Sequence, residues 1–411
     1  MTIKKILIFL LIVLAQDFFA QSSSTFSRSG LGDMIYSFSA RRVGMGDLGI
    51  AVSDEDFIGT LNPASWGRLN RTRIEFGANW NGLTVKQNGI SSFYSELDFS
   101  GFAFAFPISK KYGAGGALGI VPFTNVSYKA KQNIQSIENY DITYEGSGGL
   151  SKIFLGGSYM LPFNVTLGAS LDYYFGNINY NSKANFTQES SYDAEYNRTF
   201  RPKGIGGTFG LISPDINGAL KIGGISDVRF GLAVNYISNL ETDSSLTSVS
   251  TFYTDTIGIS IVDMHVPERI MAGISFVAKQ TNLFTLDYAF QPWSKFSLNG
   301  KTDANLRDAH KFSLGYEYRP QRDNYSGFWQ QIMYRVGLSY EQTQYLINNS
   351  GINQYAFSLG TSFPIALENT IDIGLQYLIR SGDNSSLLKE NTIRVNIGIS
   401  LGDYWFIRQE K

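Results

Sequence analysis

The sequence predicts an all-β fold: a transmembrane antiparallel β-barrel of about fourteen strands with an N-terminal plug, or hatch, in its lumen. Three observations predict it. From Arg71 onward, apolar and small-or-polar residues alternate at period 2 in segments long enough to cross a membrane. Charged residues make up only 17% of the chain, while 42 residues are glycine, 30 phenylalanine and 24 tyrosine. A soluble domain carries roughly 25% charged residues and about 7% glycine. Finally, the one long apolar run lies at the extreme N-terminus, so a polytopic helical membrane protein is excluded.

That N-terminal run reads as an export signal, residues 1–20. Lys4 and Lys5 supply the positive region and Ile6 to Leu14 a stretch too short to span a bilayer. Cleavage fits after Ala15 or after Ala20, and no cysteine is present for lipoprotein processing. Residues 21–70 break the alternation. Disorder is one reading, but Ile35, Phe38, Val43, Met45, Leu48, Ile50 and Phe57 are too apolar for a solvated tail. A plug folded into the lumen is the better account.

Residues 71–411 form the barrel. Candidate strands are 71–86, 94–108, 111–131, 142–160, 163–183, 201–213, 226–245, 266–279, 282–297, 309–320, 331–345, 353–364, 369–382 and 388–402. Their even number suits a single-chain bacterial barrel. Ser109-Lys110, Leu161-Pro162, Gln280-Thr281 and Ala366 to Asn369 read as tight periplasmic turns, and 184–200, 246–262 and 298–308 as outward loops. The two faces are plain near the C-terminus. Ile393, Val395, Ile397, Ile399 and Leu401 lie on one face, and Arg394, Asn396, Gly398 and Ser400 on the other.

Several function classes fall away. With no cysteine and two histidines, His265 and His310, no metal or cofactor is expected. A net charge of -1 argues against nucleic acid. Gly44-Met45-Gly46-Asp47-Leu48-Gly49 matches a dinucleotide-binding pattern, but without the strand-turn-helix context that gives the pattern meaning. Glycines allowing a tightly folded plug explain it better. Asp263, His265 and Ser260 hold the ingredients of a hydrolase, yet His310 and Asp308 have no patterned serine nearby, and the chain is expected not to be an enzyme.

Pro122 follows Gly113, Gly115, Gly116 and Gly119 inside the third candidate strand. Proline removes a ladder donor and glycine weakens packing, so Gly119 and Pro122 mark a bulge or kink. Such a kink either opens a lateral gap in the wall or is a rim irregularity beyond the membrane.

Three blocks in order along the chain resemble the FadL-type long-chain fatty-acid transporters of bacterial outer membranes. The first is the Gly44–Gly49 stretch followed by Asn62-Pro63-Ala64. Val266-Pro267-Glu268 with Asp287 and Trp293-Ser294-Lys295-Phe296 form the second, and Arg307-Asp308-Ala309-His310-Lys311 with Leu314-Gly315 the third. The resemblance implies a monomer in the outer membrane, among lipid and lipopolysaccharide. It implies passive uptake of small hydrophobic molecules such as long-chain fatty acids, leaving sideways through a kinked third strand. By that analogy Asn62, Pro63 and Ala64 sit in the hatch near the wall opening, packed toward the strand carrying Gly119 and Pro122, with Asn62 serving backbone groups the kink leaves unpaired. The alternative is a related FadL-like barrel that presents or shuttles secreted proteins in a type IX secretion system, with a protein partner.

Overall fold

A computed structural model describes residues 24–87, 89–134, 140–186, 193–250, 253–320, 327–366, 368–382 and 388–404. The expected signal at 1–20 lies outside the described residues. The wall strands in chain order are β1 (Thr72–Gln87), β2 (Ile90–Ser109), β3 in two segments (Ala114–Pro122 and Thr124–Ile134), β4 (Tyr140–Met160), β5 (Thr166–Phe186) and β6 (Ala194–Ile212). Next come β7 (Ile225–Ile237 and Leu240–Ser250), β8 (Thr254–His265 and Arg269–Ala278), β9 (Asn282–Gln291) and β10 (Ala309–Tyr318). The last are β11 (Met333–Ile347), β12 (Ser350–Ala366), β13 (Asn369–Gly382) and β14 (Lys389–Asp403). Each pairs antiparallel with its neighbour, and β14 closes on β1 through pairs such as Asn396–Asn79. Closure is what lipid demands, since an open edge there would leave backbone donors and acceptors without partners.

Two of the three expected outward loops are instead ladders. The β5–β6 pairing runs out to Ala184–Ala194, and β7 with β8 to Val249–Thr254. These polar stretches keep period 2 without apolar content, because hairpins that rise beyond the bilayer have no lipid to face. The third, 298–308, is a loop with the short pair Ser297–Leu298 and Lys301–Thr302 and an isolated bridge from Leu306 to Tyr345. The third strand is broken beside the expected kink, the seventh is broken at 238–239 where one continuous strand was expected, and the eighth gains Thr254–His265 ahead of the expected stretch.

Period 2 sorts the two faces. Leu155, Leu171, Phe209, Phe312, Phe357 and Ile397 are exposed on the outer surface, the composition of a lipid-facing belt. Their neighbours Lys152, Asp172, Lys311, Glu317, Arg335, Gln376 and Asn396 point inward and are buried. Burial of so many charged groups requires a filled interior, and residues 24–70 fill it.

Candidate functional site

The hatch docks where glycine meets glycine. Gly46 has φ +83°, and a Cβ placed on wall residue Gly337 would lie 2.3 Å from the Gly46 nitrogen. Asp47, in the same loop, receives a bond from the Lys311 ammonium at 2.8 Å. The Gly44–Gly49 stretch is thus spent on seating the hatch against the wall.

A charged clamp fixes the next turn. The Arg41 guanidinium donates to both Glu317 oxygens at 2.7 Å and also pairs with Asp54. Glu317 takes a further bond from Arg335 at 2.5 Å, and Arg319 reaches both Glu317 and Asp54. Burial pushes the Asp54 carboxyl up, but the charges of Arg319, Arg41 and Arg42 outweigh it and hold the group well below its ordinary range. Buried charges this well paired give geometry and register, since removing one partner strands the others.

Asn62, Pro63 and Ala64 lie inside the barrel, against β5 and β6. The Asn62 amide donates to the Ile50 carbonyl at 2.8 Å and the Leu211 carbonyl at 3.2 Å, and its oxygen caps Ala64 N at 3.1 Å. Pro63 opens the 3-10 turn Pro63–Arg68. A Cβ on Gly168 would sit 2.3 Å from Ala64 N, and one on Gly210 would sit 1.9 Å from Asn62 Oδ1. Asn62 therefore does not serve the kinked strand. The residue of this turn that reaches β3 is Trp66, stacked on Phe154 at 6.0 Å in an apolar cluster with Ala103, Ala117 and Val121.

The break itself lies at Phe123. Pro122 is the last residue of the lower segment and pairs with Ser151, while Val126 of the upper segment pairs with Gly148, a slip of one residue in register. Gly148 and Gly149 opposite have φ +105° and +152°, conformations that glycine alone adopts at low cost. Gly119 is a tight point below the break, where a Cβ would meet the Phe102 carbonyl at 2.4 Å. Beyond the break β2 loses its partner. It pairs with β3 only from Phe102 to Ser109, so Ile90–Gly101 face no β3 ladder.

The free edge of upper β3 is taken by the start of the hatch. Asp33 and Met34 pair with Asn125 and Thr124, Ser24 N donates to Ser127 O at 3.0 Å, and Ile35 N to Phe123 O at 3.0 Å. This strap was not legible beforehand; the Gly148-Gly149 pair within a strand was the available signal. Across the gap, side chains replace the ladder: Glu96 of β2 hydrogen-bonds with Asn125 and Ser127. Irregular backbone at this depth is tolerable because it lines a cavity.

That cavity holds about 540 Å³ and spans the gap, reaching from Glu96, Asp98 and Phe99 to Pro122 and Asn125 and inward to Arg380 and Arg394. Its lining is mixed, with Met34, Ile35, Leu83 and Leu378 among the polar groups. The histidines lie elsewhere. His265 Nδ1 meets Asn239 at 3.0 Å and His310 Nδ1 meets Tyr288 at 2.8 Å. Among the described residues no three His, Asp or Glu side chains are placed to hold a metal.

The model of the BamG family matches residues 2–411. No curated protein matches in sequence. Several solved structures share the fold. The Ralstonia pickettii toluene transporter TbuX is 17% identical with a TM-score of 0.61, covering 90% of this chain and 99% of its own. The monoaromatic hydrocarbon channel CymD is 18% identical with a TM-score of 0.57, covering 92% and 100%. A Pseudomonas aeruginosa FadL homologue is 10% identical with a TM-score of 0.59, covering 93% and 98%. At these identities the likeness shows the fold alone.

Proposed function

We propose that this chain, which belongs to the BamG family, is an outer-membrane barrel that passively admits small hydrophobic or amphipathic molecules and releases them sideways through the gap above Phe123. The observation carrying this reading is the interrupted β2–β3 ladder with a cavity of about 540 Å³ behind it. The hatch is locked to the wall below, so a solute reaching the cavity finds its open side toward the membrane. Apolar solutes cross a polar surface layer poorly, and such a route bypasses it. The toluene and hydrocarbon transporters of the same fold support small aromatics as candidates beside long-chain fatty acids.

The test uses the absence of native cysteine. A Glu96→Cys/Ser127→Cys pair, oxidised, staples β2 to upper β3. Uptake of radiolabelled toluene by cells making this variant should fall on oxidation and recover with reductant. Uptake indifferent to a formed disulfide would remove lateral exit.

A second reading, a barrel that presents or shuttles other proteins, is favoured by β8. Its Thr254–His265 segment pairs with β7 on one side, while on the other, among the described residues, only Asp263, Met264 and His265 find backbone partners. Ile257, Ile259 and Ile261 stand exposed along it. Such an edge is a template for added strands. Replacing these three isoleucines with serine should abolish co-purification of any partner; an unchanged set of bound proteins would discard this reading.

A further inference from the structure

The cavity behind the gap is not neutral. Glu96 and Asp98 are two residues apart on β2 and so share a face, and they lie close enough to share one proton in a hydrogen bond, which leaves the pair a single negative charge. Other carboxylates lining the cavity have cations: Asp33 pairs with Arg380 at 2.9 Å, and Glu390 with the same guanidinium at 3.6 Å. Glu96 and Asp98 have no such pair. Arg394, whose charge is felt at Asp98, donates instead to Asn81 at 3.0 Å and Gln376 at 3.3 Å.

Two further acceptors line the same cavity without partners. Ser100 is 3% exposed and its hydroxyl makes no hydrogen bond; Asn396 is 2% exposed and its carbonyl oxygen accepts none. Ser100 occupies the extra position of a β-bulge, where Gly77 pairs with Gly101 and Ala78 with Phe99. Asn396 lies two strands away in the row Asn396–Asn79–Asp98. One Glu96 oxygen is also unpartnered. Buried polar atoms left open in this way cost free energy unless a ligand completes them.

We propose that Glu96, Asp98, Ser100 and Asn396 form a binding site for the cationic head of a small organic amine, whose apolar part lies along Leu83 and Phe99. An ammonium brings a positive charge and only donors, matching a wall that offers the open Ser100 and Asn396 acceptors and the one negative charge of an acid pair sharing a proton. An anionic head would face those carboxylates at the gap, which selects against free fatty acids at this site. An organic cation fits better than a metal ion, because the described residues assemble no group of three acidic or imidazole ligands. The inference rests on lateral uptake for how the molecule arrives and defines which molecules arrive.

Three probes share one ring and differ in head group: benzylamine, benzyl alcohol and benzoate. Each is titrated calorimetrically at pH 7 into the full chain reconstituted in nanodiscs, with calcium chloride as a fourth titrant. Benzylamine should bind at least about tenfold more tightly than benzyl alcohol, with benzoate weakest and calcium silent. The Glu96→Gln/Asp98→Asn variant should bring benzylamine down to the alcohol's affinity while leaving the alcohol unchanged. Glu96→Gln alone, which keeps the side-chain shape across the gap, should lose part of the preference, and heat-modifiable gel mobility reports that both variants fold. Benzyl alcohol or benzoate binding as tightly as the amine, or an amine preference that survives both substitutions, overturns the inference and leaves lateral uptake standing. Calcium binding that displaces the amine makes this a metal site and overturns it too. If none of the three ring compounds binds, lateral uptake itself fails and the inference falls with it.

Discussion

Arg41 of the hatch and Glu317 of β10 lie 276 residues apart in sequence yet meet through two parallel bonds of 2.7 Å, both side chains out of reach of solvent. The hatch is held at this point as a bidentate fork grips a carboxylate. Replacing Arg41 with methionine keeps most of the volume but leaves Glu317 to Arg335 and Arg319 alone. Breaking a buried pair from one side costs about 3–5 kcal/mol. Amide hydrogen exchange over Val43–Asp47 should accelerate accordingly while the barrel strands keep their protection. Equal protection in the hatch would show that the glycine contacts alone suffice.

Acid should loosen the same docking. Asp54 is held below its ordinary range, and so is Asp47, where burial is outweighed by Lys311 and Arg394. A carboxyl depressed in the folded state contributes stability above its unfolded pKa of about 3.9, and that contribution is lost as pH falls through the folded value. The contribution of these two carboxylates to hatch protection should therefore be constant from about pH 7 to 5 and decline below about 4. Protease cleavage within 24–70, measured after a pH jump, follows this directly; cleavage that rises already near pH 6 would implicate other groups.

Asn62 and Gly210 should behave as one unit. Asn62→Ala removes two bonds to buried carbonyls and a cap, costing about 1–3 kcal/mol. Gly210→Ala drives a Cβ to within 1.9 Å of Asn62 Oδ1. In a double-mutant cycle on thermal unfolding, the Gly210→Ala penalty should shrink when position 62 is already alanine. Additive penalties would mean that the wall, not the asparagine, resists the methyl group.

The bend in β3 should depend on Gly149 more than on Pro122. Pro122→Val restores a donor in the lower segment, yet the register slip lies beyond it at Phe123. Gly149→Ala places a Cβ 2.3 Å from the Thr124 carbonyl at φ +152°, so the upper segment must shift. Toluene uptake should change several-fold in Gly149→Ala and little in Pro122→Val, with both variants folding normally. The reverse order would locate the bend in the proline.

Alternation marked the strands and the polar face of residues such as Glu317 and Gln376, because period 2 is a local property of the chain, while the number and length of the segments and the N-terminal export signal chose a barrel over a soluble sandwich. Composition in residues 24–70 likewise implied a packed plug: Phe38, Met45 and Leu48 are apolar at positions no solvated tail would tolerate, and all three are buried. Partners remained hidden. Nothing near Asn62 announces Leu211, and nothing near Asn125 announces Asp33; both contacts join segments far apart in sequence through the closed wall. The wall break was half legible, since Pro122 drew attention to β3, whereas the slip at Phe123 needs Gly148 and Gly149 on the facing strand. Nor did the sequence distinguish Glu96 and Asp98 from other luminal carboxylates. They stand on the stretch of β2 that has no β3 ladder beside it, a relation that exists only once the barrel has closed around its hatch.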